Sequence, residues 1–296
     1  MRKVFYPVIM FLLQCVLLTG CNYNKKTVCE NTIFEGWLGE KYDEETQTMV
    51  QEIKDDRFLL VCPIESEKLV LPSTFSNYGM ITGVGDHSFC NDNTIVSLVI
   101  PDGYWYVGMG AFENCANLKS VTLGKDVSLI TELAFANCPN LCEFIIPEGN
   151  EHFYTSEGCL LKKDTDTLLI SNGTIPLCTK IIGPSVFVAN ENIREMFVPE
   201  GVIQISPLAF NESSLSSITL PESLLSLGWS AFQGCDALKE LYIPDNVTEV
   251  GEKLFSMCEQ GITVYCEAES KPDGWSDDWL VGSENVTVIW GYTPEE

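Results

Sequence analysis

Between residues 69 and 265 the apolar positions of this chain follow one recurring order. A short stretch alternates apolar and polar, as in Leu118-x-x-Val121-x-Leu123 and Leu238-x-x-Leu241-x-Ile243. Alternation with period two puts those side chains on one face of a short strand. A proline or glycine then follows, at Pro101, Gly124, Pro176, Pro199, Pro221 and Pro244. Proline ends the strand because it has no N–H to give to a ladder. Eleven residues later comes a phenylalanine, and five residues before each phenylalanine stands an aliphatic residue (Val84, Val107, Ile130, Ile182, Ile205, Leu227 and Val250). The phenylalanines are Phe89, Phe112, Phe135, Phe187, Phe210, Phe232 and Phe255, spaced 23, 23, 52, 23, 22 and 23 residues apart.

A unit of this size cannot cover its own apolar face, but stacked units cover each other's. The pattern therefore predicts a solenoid of α/β class, made mostly of short parallel strands and turns with few helical turns. At about 4.8 Å between neighbouring strands, the array would run roughly 35 Å before its caps. The long interval holds one period plus an insertion at about 151–173, "EHFYTSEGCLLKKDTDTLLISNG". Two apolar runs there flank a polar "KKDTDT", which reads as a β-hairpin. Insertions of this kind fall on one face of an array, where they either serve binding or merely ornament it. Residues 21–68 read as a tether and N-terminal cap, 69–265 as the solenoid, and 266–296 as a C-terminal cap.

The first twenty residues read as a leader rather than as fold. Arg2 and Lys3 precede an apolar run from Val4 to Leu18, the order of a secretory signal. It ends in Leu18-Thr19-Gly20-Cys21, which resembles the bacterial lipobox and implies diacylglycerol on Cys21. An ordinary secretory signal or an uncleaved anchor is the alternative. With a net charge of −25 the chain lacks the basic footprint of a nucleic-acid binder. Contact with a membrane is accordingly expected through the N-terminal lipid alone.

The frame L-x-x-[IV]-x-[IL]-P-x-x-[V]-x-x-I-G-x-x-A-F-x-x-C resembles the BspA-like leucine-rich repeats of bacterial surface proteins. Leu215 to Cys235 and Leu238 to Cys258 follow it most closely. Gly124 departs from it in place of proline, Phe187 and Phe210 lack the cysteine, and one unit is a residue short. The resemblance implies adhesion or co-aggregation, with host matrix or neighbouring-cell surface proteins as ligands. It carries over no binding residues.

Several residues invite a chemical reading. Cys115, Cys138, Cys235 and Cys258 all lie three positions after a phenylalanine, and they read first as a column of buried thiols. Disulfides Cys115–Cys138 and Cys235–Cys258 stay open, because an exported chain meets an oxidising compartment. No C-x-x-C pair announces zinc, so neither metal nor cofactor is expected. The two histidines, His87 and His152, have no nucleophile motif beside them, and no enzyme activity is expected. Trp275 and Trp279 in "WSDDW" read as cap residues, with glycan contact as an alternative. A glycan-binding or glycan-processing lipoprotein, and a plain envelope scaffold, are the functional alternatives to adhesion. The outward strand positions carry the candidate protein-binding residues: Glu143, Glu195 and Glu240 in one column, Ile145, Phe197 and Tyr242 in the next. Exposed aromatics on a regular sheet make anchors for a protein partner. The sequence indicates no oligomeric state.

Overall fold

The computed structural model describes residues 39–43, 48–52, 57–60, 66–75, 79–283 and 285–293. The leader, Cys21 and much of the tether lie outside the described residues. We number the coils 1 to 7 by their phenylalanines. The alternating stretches form one wall, in which Lys68–Val70, Ser97–Val99, Ser120–Thr122 and Glu143–Ile145 make a parallel sheet. After the insertion the wall resumes with the parallel pair Glu195–Phe197 and Ser217–Thr219. Glu240–Ile243, Ile262–Cys266 and Val286–Trp290 then form a parallel trio. The aliphatic residue before each phenylalanine sits in a second wall, Val84 at the end of Gly79–Val84 and the others in two-residue strands from Tyr106–Val107 to Glu249–Val250. At its N-terminal edge Arg57–Leu60 pairs parallel with Gly79–Val84. Thr48–Glu52 and Gly39–Asp43 continue that sheet antiparallel, inside a stretch whose polar composition suggested only tether.

The third wall carries the phenylalanines, and here the structure differs from the expected few helical turns. Among the described residues there is no helix. The backbone takes φ of +50 to +66° two residues before and two residues after every phenylalanine, for example at Leu133 and Asn137, or Ser230 and Gly234. A left-handed residue at every fourth position stops a right-handed helix from propagating, at about 1 kcal/mol for each non-glycine. The N–H groups bond across coils instead. Phe89, Phe112, Phe187, Phe210 and Phe232 donate to the carbonyls of Ala111, Ala134, Ala209, Ala231 and Leu254 at 2.7–3.1 Å. Inside, their rings lie flat on one another: 5.0 and 5.2 Å along Phe89–Phe112–Phe135, and 4.9, 5.5 and 6.0 Å along Phe187–Phe210–Phe232–Phe255.

The column is therefore two columns, and the insertion divides them. It forms a three-stranded antiparallel meander, Phe153–Ser156, Cys159–Lys162 and Thr167–Ile170, one strand more than the hairpin expected. Its alternate side chains serve opposite neighbours. Phe153 and Leu160 join the core of coils 1 to 3, while Cys159, Leu161 and Leu168 join that of coils 4 to 7. The insertion is thus a partition with two apolar faces, which is why "CLL" and "LLI" do not alternate.

The cysteines line the corner beside the rings. The thiols of Cys115, Cys138, Cys235 and Cys258 donate to the carbonyls of Phe89, Phe112, Phe210 and Phe232 in the preceding coil, at 3.0–3.3 Å. All four are free thiols. Coils 1 and 4 each begin a stack and have no earlier phenylalanine carbonyl to meet. There the same position holds Asp92 and Asn190, whose Oδ1 atoms instead accept the N–H of Thr94 (2.9 Å) and Asn192 (3.0 Å) in their own turns.

Two outcomes follow for measurement. Phe210→Ala removes a fully buried ring stacked on both sides and should cost about 3–5 kcal/mol in chemical denaturation. Phe197→Ala, on the surface, should stay within about 0.5 kcal/mol of the parent. Burial pushes the Cys235 and Cys266 thiols up to about 12, so they should resist iodoacetamide in the native protein while exposed Cys142 and Cys178 react. Peptide mass mapping reads this directly, and a Cys235 labelled as fast as Cys142 would contradict the buried column.

Candidate functional site

The strand wall presents its outward side chains in register, because parallel pairing sets Glu143 beside Ser120 and Glu195 beside Ser217. Ile145 is 49 %, Phe197 65 % and Tyr242 42 % exposed. The partition interrupts this wall between Glu143–Ile145 and Glu195–Phe197, which belong to separate sheets. Of the six candidates it thus brings Glu143 with Ile145, Glu195 with Phe197, and Glu240 with Tyr242. It does not place all six on one unbroken sheet.

Tyr242 stands in a group the sequence reading missed. Its ring lies flat on Tyr265, with centroids 4.7 Å apart, and both rings touch Tyr292 at 5.4 and 4.8 Å. The signal was present: Tyr265 follows Tyr242 by one more period, beyond the last phenylalanine. Lost hydration, then the hydrogen bond to Glu240 Oε2 at 3.0 Å, push the Tyr242 phenol up to about 12. It stays protonated at neutral pH, with its one O–H donated to Glu240 and its oxygen still able to accept.

Trp275 and Trp279 do not offer rings to a sugar. They are 3 % and 5 % exposed, and pack edge to face with each other and against Trp290. The Trp275 indole N–H donates to the Val247 carbonyl at 2.9 Å, closing the end of the last coil. Glycan contact through these rings is therefore corrected to a capping role. Asp277 of the same motif is exposed and pairs with Lys271 Nζ at 2.7 Å, whose hydrogen bond and charge hold its carboxyl below the usual range.

Coil register also gathers His87, Cys90 and Glu113, whose ligand atoms all lie within 4.8 Å of one another. Cys90 and Glu113 each follow a phenylalanine directly and so stack in adjacent coils. That is a proximity of period 23, which a search for C-x-x-C spacing does not see. Gly110, at φ +57°, leaves room for the imidazole, since a Cβ there would fall 2.4 Å from His87 Nδ1. Burial raises the Glu113 carboxyl to about 7 and lowers His87, with Asp86 opposing the latter shift. These nitrogen, sulfur and oxygen donors are of the kinds that hold zinc. The other histidine, His152, lies beside the partition with its ring near that of Phe153.

On the phenylalanine wall, a cleft of about 660 Å³ opens between coils 3 and 4. Leu133 to Cys138 line one side, Pro184, Val186 and Val188 the other, and Leu169 to Gly173 the floor.

The architecture has solved counterparts. The chain is similar to the pneumococcal vaccine antigen PcpA, at 17 % identity over 86 % of this chain and 88 % of that one, with a TM-score of 0.53. It also aligns with a leucine rich cell surface protein of Faecalibacterium prausnitzii, at 16 % identity over 87 % and 94 % of the two chains, with a TM-score of 0.40. A leucine-rich repeat protein of Bacteroides ovatus aligns at 20 % identity over 88 % and 71 %, with a TM-score of 0.42. No curated protein sequence matches the chain. The model of the BspA type leucine rich repeat region matches six copies, over residues 50–162 and 165–270. Strand, proline, aliphatic residue, ring and thiol recur in that order within the matched residues, and the chain belongs to the BspA type leucine-rich-repeat family.

Proposed function

We propose that this chain is an exported, non-enzymatic recognition protein whose strand wall takes a protein ligand. The observation that carries the reading is the exposed apolar and aromatic series Ile145, Phe197 and Tyr242, set on parallel sheet among Glu143, Glu195 and Glu240. Large rings held on a stiff wall lose little entropy when a partner covers them, and such residues dominate protein interfaces. The acids between them favour a partner whose contacting surface is basic. Export rests on the leader and on Cys21, whose lipid would tether the body to a membrane. Adhesion to host matrix or neighbouring-cell proteins is what the family resemblance implies. No helix among the described residues is long and apolar enough to cross a membrane.

The test is retention of ligands from host matrix and neighbouring-cell extracts on the immobilised body, residues 22–296. Replacing Phe197 and Tyr242 together by alanine should lower retention at least about tenfold, since interface anchors cost 1–2 kcal/mol or more each. Retention equal to that of a charge-matched control would refute adhesion. Undiminished retention by the double variant would move the site off the strand wall.

A further inference from the structure

The phenylalanine wall obeys a pairing rule that one junction breaks. Between adjacent coils, N–H groups two before, at, and two after the phenylalanine donate to carbonyls three before, one before and one after the next. His87, Phe89 and Asn91 reach Met109, Ala111 and Glu113 in this way. Ser185, Phe187 and Ala189 reach Pro207, Ala209 and Asn211. Two or three such bonds form at every other junction within coils 1 to 7. At the junction of coils 3 and 4 the donors are the N–H groups of Leu133, Phe135 and Asn137, and the acceptors the carbonyls of Pro184, Val186 and Val188. Among the described residues none of these six groups has a partner. They face each other across the cleft, because the partition holds the two stacks apart there.

The rings tell the same story. Phe135 stacks flat only on Phe112, and Phe187 only on Phe210. Each therefore has one broad side without the flat neighbour that Phe112 or Phe210 has on both. Backbone donors, backbone acceptors and the Phe135 end of one ring column converge on one space. What is missing between them has the form of a single rung of polypeptide.

We propose that the cleft between coils 3 and 4 binds an extended segment of a partner protein by backbone pairing, as an added rung running parallel to both coils. Five residues span the row, at about 3.3 Å each. Its alternate N–H groups would donate to Pro184, Val186 and Val188, and its carbonyls accept from Leu133, Phe135 and Asn137. This is strand addition at an open edge, in which main-chain bonds supply affinity and side-chain contacts selectivity. A central aromatic side chain suits the space beside Phe135, above Leu169 and Ile170 on the floor. Glu132, Glu191 and Glu195 outnumber Arg194 along the lining, so basic residues belong at the flanks of the segment. The chain's net charge of −25 draws such segments in from a distance.

The probe is a fluorescein-labelled peptide, Lys-Lys-Ser-Ala-Phe-Gln-Gly-Lys-Lys, which copies Ser230–Gly234 between lysine pairs. Anisotropy with the whole chain should show saturable binding, and hydrogen exchange should slow at the amides of Leu133, Phe135 and Asn137. Methylating the peptide nitrogens of Ser, Phe and Gly, which would donate to coil 4, should weaken binding at least tenfold. Glu191→Lys, an exposed change, should weaken it several-fold. Replacing Phe197 and Tyr242 should leave it unchanged, which separates this site from the strand wall. No saturation by ~1 mM, a weak limit for specific recognition, would overturn the proposal. Equal binding by the methylated peptide would overturn it too. So would amides already protected without peptide, since the cleft would then be covered by the chain itself.

Discussion

The structure depends on one constraint: no coil can satisfy its own phenylalanine wall. Each ring needs a flat neighbour, and alternate N–H groups of that wall reach carbonyls in the next coil wherever the stack continues. Burying one such ring is worth about 1.5–3 kcal/mol, and stacking adds about 0.5–1.5. The left-handed residues on either side cost about 1 kcal/mol apiece, so a lone coil lacks the means to hold its shape. Neighbours supply what the coil lacks. The free thiols, the strand wall and the exposed tyrosine group all follow from that borrowed stability.

The partition respects the same constraint from both sides. A plain extra loop would have left two core faces open to water. The meander instead sends Leu160 one way and Leu161 the other, so both cores stay closed while the strand wall and the phenylalanine wall are each interrupted. The exposed strand residues contribute little to packing, which the buried columns carry instead.

Much of this was legible in the residues. The spacing of Phe89, Phe112 and Phe135, and of Phe187 through Phe255, marked the columns and the coil count. The cysteine position is polar at Asp92 and Asn190, where each stack begins, but also at Ser213 within the second stack, so residue type alone does not mark a start. Helical turns were expected because left-handed conformations at Leu133, Leu208 or Lys253 leave no trace in residue type, unlike Gly110 or Asn114. The meander escaped because it has no period to betray its contacts. Glycan contact stayed open beside the cap reading of Trp275 and Trp279 because composition does not tell which way a ring faces. The His87, Cys90 and Glu113 group was hidden by distance along the chain and exposed only by register.

The alternation inside the partition makes it the least forgiving stretch of the molecule. Elsewhere a whole coil could be duplicated or lost, and the flanking rings would close ranks. Within Cys159–Lys162 a single-residue insertion or deletion would exchange the side chains owed to the two halves, handing each the other's. Evolution of this array should therefore proceed by whole units outside the partition, with length held constant inside it.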